Sequence, residues 1–349
     1  MFGSGKKEQS SGDGSVNFQA EKITVQTGLS IAHVKEIALE VFENNFHKLS
    51  GVAKDTAEER ARELTDNFLK EFSKRNPNGL EVAQDPGFQY DLYIAQKEFV
   101  RYGDQDLGEI LVDILVDRTK HKEKDLRQLV LSEALVTAPK LTSGQIEILA
   151  CHFNITLTKR NNFQSIKDFS KYISEVILPL SESVATAGVN YKHLEFVGCA
   201  AIRTGSWDLL EILRGAYPAI FCKGFSHEEF AKLREMDPNV TKVLIRCPHN
   251  PSLYQAGGMD DKINKQMCVS NGVSKEAETA LLALNKNSMM SNVEAAEFIE
   301  SVAPGFSKFV KGAKGSQFVN MELTSVGIAI AHAYSRKRLD FDADLSIWI

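Results

Sequence analysis

The C-terminal block of the chain, residues 317–349, carries the pattern that most limits what the chain can fold into. Residues 318–324 form a strand-like stretch that leads into an apolar, helix-like stretch at residues 325–333. Residues 339–347 then alternate apolar and polar side chains, which is typical of a strand with one buried and one exposed face. The block therefore predicts packed α+β structure. It contains no nucleophile, base or metal-ligand cluster that would identify a reaction.

Helical patterns dominate the chain before this block. Ser30 predicts the N-cap of a first helix, and residues 56–59 predict a capping box at the start of a second. Pro77 ends this second helix, because proline cannot continue it. Further helices are predicted at residues 88–102, 107–119, 124–136, 143–153, 166–176, 191–203, 207–216, 228–236, 275–284 and 292–302, with a short strand at 240–246.

The first 28 residues differ from the helical body. Residues 1–14 are polar and rich in glycine and serine, and we expect a flexible leader there. Residues 15–28 hold two short alternating stretches that predict a β-hairpin. Because an isolated hairpin is marginal in water, it needs a cover, which either a neighbouring subunit or the same chain can provide. The candidate oligomerisation residues are Val16, Phe18, Ile23 and Val25.

The composition is that of an ordinary globular protein without a membrane span. The formal net charge of −5 argues mildly against a nucleic-acid coat or a protein that binds anionic membranes. There is no apolar secretory segment, and no apolar run approaches the length of a transmembrane helix. The cysteines are odd in number, widely spaced and mostly in apolar contexts, which is typical of a reducing compartment. We therefore expect a cytoplasmic protein.

No motif in the sequence identifies a reaction, and we predict no catalytic residue, no metal and no cofactor. The row of Asp106, Glu109, Asp113 and Asp117 follows a helical spacing, and we interpret it as a solvated helix face. The loop at residues 247–251 brings Cys247 and His249 close together in the sequence, but it lacks the spacing of a zinc site. An enzyme, such as a hydrolase or nuclease with a site near Cys247 and Pro251, remains an alternative.

The segment at residues 322–327, a strand followed by Leu-Thr-x-x-Gly and a helix, resembles the last wing strand and final helix of winged-helix domains. The helix that would read DNA carries Glu294, Glu297 and Glu300, which have the wrong sign for phosphate. We therefore favour protein contacts for this module, with a DNA-binding regulator as a further alternative. The nucleic-acid contacts in that alternative are Lys308, Lys311, Lys314, Arg336, Lys337 and Arg338.

These patterns predict a mainly α protein: a helical body with a short N-terminal β-hairpin and a small, winged-helix-like α+β C-terminal module. The predicted divisions are 1–14 (leader), 15–28 (hairpin), 29–160 (helical domain), 161–272 (second, mostly helical domain) and 273–349 (C-terminal module). Leu345, Ile347 and Trp348 near the end are apolar enough to bind a partner, although tryptophan is more often buried in a core.

Three segments carry a resemblance: residues 12–20, residues 28–38, and the C-terminal stretches 323–330 and 344–349. They resemble a family of bacterial proteins in which a polar Gly-Asp-x-Ser…Gln-Ala leader precedes a helical body. Similar leaders are attached to proteins of anti-phage defence systems, so the resemblance implies a role in defence. It implies no catalytic residues.

The sequence thus favours a non-enzymatic, oligomeric sensor or scaffold in bacterial anti-phage defence. The expected partners are other copies of the chain, together with a phage component or a second defence protein. No membrane contact is expected, and nucleic acid is disfavoured.

Overall fold

A computed structural model describes residues 29–45, 51–121, 125–161, 163, 165–185, 188–339 and 341–349 of the protein. The predicted hairpin residues Val16, Phe18, Ile23 and Val25 lie outside the described residues. Within those ranges the protein is mainly helical, as the sequence predicts. No helix in the described part of the chain is long and apolar enough to cross a membrane.

The helices of the first half are α1 (Ile31–Asn45), α2 (Val52–Arg75), α3 (Pro86–Tyr102), α4 (Gln105–Arg118), α5 (Leu126–Thr137), α6 (Ser143–His152), α7 (Ile166–Tyr172), α8 (Leu178–Ser181) and α9 (Gly188–Phe196). The helices of the second half are α10 (Leu209–Ala216), α11 (His227–Met236), α12 (Asp261–Ser270), α13 (Lys275–Asn287), α14 (Asn292–Val302), α15 (Phe306–Lys314) and α16 (Ser325–Arg338). The strands are β1 (Ala200–Ile202), β2 (Leu244–Cys247), β3 (Asn250–Ala256) and β4 (Met321–Leu323).

The start of α1 follows local sequence signals, whereas the start of α2 does not. The Ser30 hydroxyl accepts a hydrogen bond from the backbone N–H of His33, so Ser30 caps α1 as predicted. The predicted capping box at residues 56–59 is wrong. Helix α2 already begins at Val52, and the Thr56 hydroxyl donates to the Val52 carbonyl inside the helix.

Helix α4 lies at the centre of the first half and is buried on nearly every side. Helices α2, α3 and α5 pack against it, and so does the C-terminal helix α16, which also packs against α5 and α6. One hydrophobic core therefore runs from Val34 to Leu345 and crosses the predicted boundaries at residues 160 and 272. The C-terminal helix belongs to the same core as the first helices.

The described strands form two short antiparallel sheets. Strand β4 pairs with β1, with Ala200 opposite Leu323, and β2 forms a hairpin with β3. Thr324 links β4 to α16, because its hydroxyl accepts from Gly327 N–H and donates to the Gly198 carbonyl. A Cβ on Gly327 would lie 1.9 Å from the carbonyl oxygen of Cys199, so only glycine fits this approach.

The predicted terminal strand at residues 339–347 is wrong. Residues 341–344 are irregular, and Leu345–Ile347 forms a single 3₁₀ turn that the Asp344 carboxylate caps through Ser346 N–H at 2.8 Å. The sequence alternates, but the described part of the chain offers no neighbouring strand with which this segment pairs.

A smaller second core lies in residues 225–284, where α11, the β2–β3 hairpin, α12 and α13 surround Phe225, Leu233 and Leu281. The helices predicted at residues 275–284 and 292–302, which would form the helix-turn-helix of a winged-helix domain, belong to different cores. Helix α13 packs in this small core, whereas Ala295 and Ile299 of α14 belong to the main one. Since β4 also pairs with the distant β1, the structure does not confirm a winged-helix module at residues 273–349.

Candidate functional site

The loop considered for hidden chemistry does not form a catalytic cluster. Cys247 is 1% exposed, and its thiol donates to the Cys222 carbonyl at 3.6 Å. Nε2 of His249 donates to the Ile220 carbonyl at 2.7 Å, and its ring packs edge-on against Phe298. The thiol and the imidazole therefore have separate partners.

The three basic residues at the end of α16 are all paired within the protein. Lys337 lies 3.4 Å from a carboxylate oxygen of Glu71 in α2, and Arg338 pairs with Asp106 in α4. Arg336 is turned inward, and only 15% of its side chain is exposed. These residues were predicted as nucleic-acid contacts, but their charges are already neutralised by the core helices.

Arg336 belongs to a buried ion-pair network between α2, α4 and α16. Its Nη1 atom lies 3.3 Å from Asp113 Oδ2 and 2.8 Å from Asp117 Oδ2. Arg75 reaches the other oxygens of both carboxylates at 2.6 Å, and Lys120 approaches Asp117 at 2.8 Å. The prediction of a solvated acidic face is therefore wrong for Asp113 and Asp117, because two arginines from distant helices cover them.

The environment of this network sets the protonation of its members. Burial raises the pKa of Asp117, but Arg336, Arg75 and Lys120 outweigh it and lower that pKa to about 2. For the fully buried Asp113, burial outweighs the arginines and the pKa is raised. Burial and the nearby Arg336 lower the pKa of His332 to about 4. His332 is thus neutral at pH 7, and its Nε2–H donates to the Ala343 carbonyl at 2.7 Å.

Asp113, Asp117 and His332 bring ligand-type atoms within 4.8 Å of one another, as a metal site would. The carboxylate oxygens, however, already accept from Arg75 and Arg336, and a metal ion would sit beside two guanidinium groups. The donor set fits a structural ion-pair network rather than a metal centre.

Of the six basic residues predicted as nucleic-acid contacts, the three on α15 remain available to bind a partner. Lys308, Lys311 and Lys314 are exposed, and none of them forms an ion pair with another described residue. Gly305, which has a left-handed backbone conformation, precedes the helix. The carboxylate of Glu300 accepts hydrogen bonds from Gly305 N–H at 3.0 Å and from Ser307 N–H at 2.7 Å. A three-residue spacing places the lysines in one stripe along the helix.

The largest cleft beside this lysine stripe lies between α10, α14 and α15. Its volume is about 610 Å³, and most of its exposed wall is apolar surface. Val293 on α14 is 67% exposed, and the charged lining residues are Glu297, Glu300 and Lys314. An exposed apolar wall with charged groups of both signs beside it is typical of a surface that binds an amphipathic segment.

Two further clefts adjoin the same lysine stripe. One, of about 560 Å³, lies between Trp207, Glu211 on α10 and Lys314. The other, of about 450 Å³, lies on the opposite side of α15 and is lined by Glu182 and Lys308. Helix α15 is thus bordered by clefts on both sides. Helix α10 lies within the predicted helix 207–216, but none of its residues is among the predicted site residues. The Asp208 cap and the strongly amphipathic pattern that follows it were the local signals for its place at the surface.

The predicted partner-binding residues at the C-terminus have divided roles. Leu345 is buried, and Trp348 packs against Phe153 while its indole N–H donates to the Leu157 carbonyl at 2.8 Å. Ile347 alone of the three points outward, with 67% of its surface exposed. Leu345 and Trp348 therefore anchor the chain end in the core.

The fold and the site define a class: a mainly helical protein with a buried ion-pair network between α2, α4 and α16 and with three clefts that border the basic helix α15. One protein-family model, that of an uncharacterised family, matches residues 28–349, so the chain belongs to this family. No curated protein and no solved structure matches the chain.

Proposed function

We propose that this protein is a non-catalytic sensor or scaffold that recognises another polypeptide through the clefts around α15. The observation that carries this proposal is the stripe of Lys308, Lys311 and Lys314, unpaired among the described residues, beside the exposed apolar wall around Val293. This combination favours an amphipathic segment with acidic residues beside its apolar face.

The same lysine stripe also favours, more weakly, a nucleic acid. Double-stranded DNA presents one negative charge per about 1.7 Å of its axis. Carboxylates interrupt the stripe on both sides, with Glu182 in one cleft and Glu211 and Glu297 in the others. These groups would repel a continuous phosphate backbone but leave room for a peptide with spaced carboxylates. We therefore place the polypeptide first.

The role in anti-phage defence and the assembly into oligomers are part of the same proposal. The defence role is supported by the resemblance of the terminal segments, and the assembly by the predicted hairpin with Val16 and Phe18. A double change of Val16 and Phe18 to Asp is expected to lower the particle mass measured by light scattering. An unchanged mass would remove the assembly part and leave the cleft part intact.

The recognition part is tested with a labelled amphipathic helical peptide, built from leucine and glutamate, and with a labelled DNA duplex of similar length. Fluorescence anisotropy of the peptide is expected to rise with the wild-type protein. Two variants should each bind the peptide with at least tenfold lower affinity: Val293→Asp, and the triple change of Lys308, Lys311 and Lys314 to Glu. Val269→Asp on α12 is the matched control, because Val269 is similarly exposed (74%) and lies outside the clefts.

Equal loss in the control variant, or no binding of the peptide by the wild-type protein, would refute peptide recognition at these clefts. Tighter binding of the duplex than of the peptide, with a steep decrease as salt is added, would establish the nucleic-acid alternative instead.

A further inference from the structure

A fourth cleft, of about 340 Å³, lies on another part of the protein, between the segment that leads into α7 and the end of α16. Its lining includes Arg160, Phe163, Lys171, Tyr172 and Leu339. The volume suits a small molecule rather than a polypeptide. The cleft shares no lining residue with those around α15.

Arg160 carries the unusual feature of this cleft. Its guanidinium group is flanked by the rings of Phe341 at 5.1 Å and Tyr172 at 5.8 Å. The Nε and Nη2 atoms are buried and have no hydrogen-bond partner among the described residues. These two atoms form one edge of the guanidinium fork, the edge whose parallel N–H groups bind a carboxylate or phosphate in a bidentate way.

Buried charged donors without an acceptor are costly, so a native protein rarely leaves them unfilled. The carboxylates that line the same cleft have other partners: Asp168 accepts from the Ser165 hydroxyl at 3.0 Å, and Glu175 pairs with Lys171 at 3.7 Å. Arg160 and Lys171 balance the charges of Asp168 and Glu175 in the lining of this cleft. What the cleft offers an incoming group is therefore the unfilled pair of guanidinium N–H donors of Arg160.

The local backbone supports the assignment of a site. The two described π-helical turns, Phe153–Leu157 and Ile173–Ile177, both border this region: Arg160 follows the first by three residues, and Glu175 and Val176 belong to the second and line the cleft. Such turns cost helical stability and are found frequently at functional sites.

We propose that this cleft binds a small oxyanion, the carboxylate or phosphate group of a small molecule, on the Nε/Nη2 edge of Arg160, with a rotation of the guanidinium that brings this buried edge to the cleft. The rings of Phe163 and Tyr172 form the wall against which the apolar part of the molecule packs. This site is independent of the recognition proposed for α15.

The test measures binding of inorganic phosphate and of acetate to the full-length protein by titration calorimetry. We expect at least one of the two anions to bind. Tighter binding of phosphate would indicate a site for a tetrahedral oxyanion, and tighter binding of acetate a site for a planar carboxylate. Arg160→Lys keeps the charge but removes the bidentate edge, so the affinity is expected to fall at least tenfold. Arg214→Lys is the matched control, because Arg214 also has a buried Nε without a partner but lies outside this cleft.

Lys171→Gln provides a second variant that is safe for folding, since 68% of this side chain is exposed. We expect it to weaken anion binding a few-fold, because the change leaves the Glu175 carboxylate in the cleft without its positive partner. The proposal is overturned if the wild-type protein binds neither anion, or if the Arg160 and Arg214 variants lose affinity equally.

Discussion

The buried network on α4 makes a sharp prediction about stability. Replacing Arg336 by Met removes the cation that bridges Asp113 and Asp117 at 3.3 and 2.8 Å, in a place where only 15% of the arginine is exposed. Breaking a buried pair from one side costs about 3–5 kcal/mol, because a charge is left without compensation. Arg75 still contacts both carboxylates at 2.6 Å, so we expect the lower end, about 3 kcal/mol.

The matched control lies two residues further along the same helix. Arg338 pairs with Asp106 in α4, but its side chain is 39% exposed. Exposed ion pairs contribute about 0–1 kcal/mol, so Arg338→Met should lower the free energy of unfolding by no more than that. Urea unfolding followed by circular dichroism at pH 7.5 measures both free energies of unfolding. Adding Asp113→Asn to Arg336→Met should recover part of the loss, because the uncompensated carboxylate is removed.

The reasoning is refuted if Arg336→Met costs less than about 1 kcal/mol, or if it costs the same as Arg338→Met. Either result would show that the network does not hold α16 against α2 and α4.

Three other predictions concern the rest of the core. Burial lowers the pKa of His152 and His332 from 6.5 to about 4, so the unfolded chain takes up protons there first; stability should fall by about 2 kcal/mol per histidine between pH 7.5 and 5, as measured by urea midpoints, and a flat profile would contradict it. Gly327→Ala should cost more than 2 kcal/mol, because its Cβ would meet the Cys199 carbonyl, whereas Gly188→Ala, with nothing within 4 Å, is the tolerated control. All five cysteines are buried, Cys247 included, so a thiol reagent should label the native protein slowly and the urea-unfolded protein at once; rapid labelling of Cys247 would favour the enzyme alternative.

Features that depend on neighbours in the sequence could be predicted, and features that depend on distant ones could not. The Ser30 cap and the end of α2 before Pro77 follow from a few adjacent residues. The alternating residues 339–347 looked like a strand, but strand formation needs a partner that no local pattern supplies. Within the predicted strand-like stretch 318–324, Met321–Leu323 does form a strand, because Ala200–Ile202, some 120 residues earlier, pairs with it.

The candidate site follows the same division. Arg336 and Lys314 both lie in the last turn of a helix with basic residues, and their local patterns are alike. One is buried because Asp113 and Asp117 meet it from 219 to 223 residues away, and the other stays free because the described helices around it bring no acid within pairing distance. No local stretch of the sequence therefore predicts that Arg336 is buried and Lys314 exposed.

Residue type nevertheless contains part of the missing signal. A guanidinium is planar and less strongly hydrated than an ammonium, so it can bridge two carboxylates inside a protein at lower cost. In this chain the bridging positions are Arg75 and Arg336, and the open stripe on α15 is made of lysine alone. Arg160 follows the same rule, since its guanidinium is packed between two rings. The arginine of a basic cluster is thus the residue to expect in an internal site, and the lysines are those to expect at a surface that meets a partner.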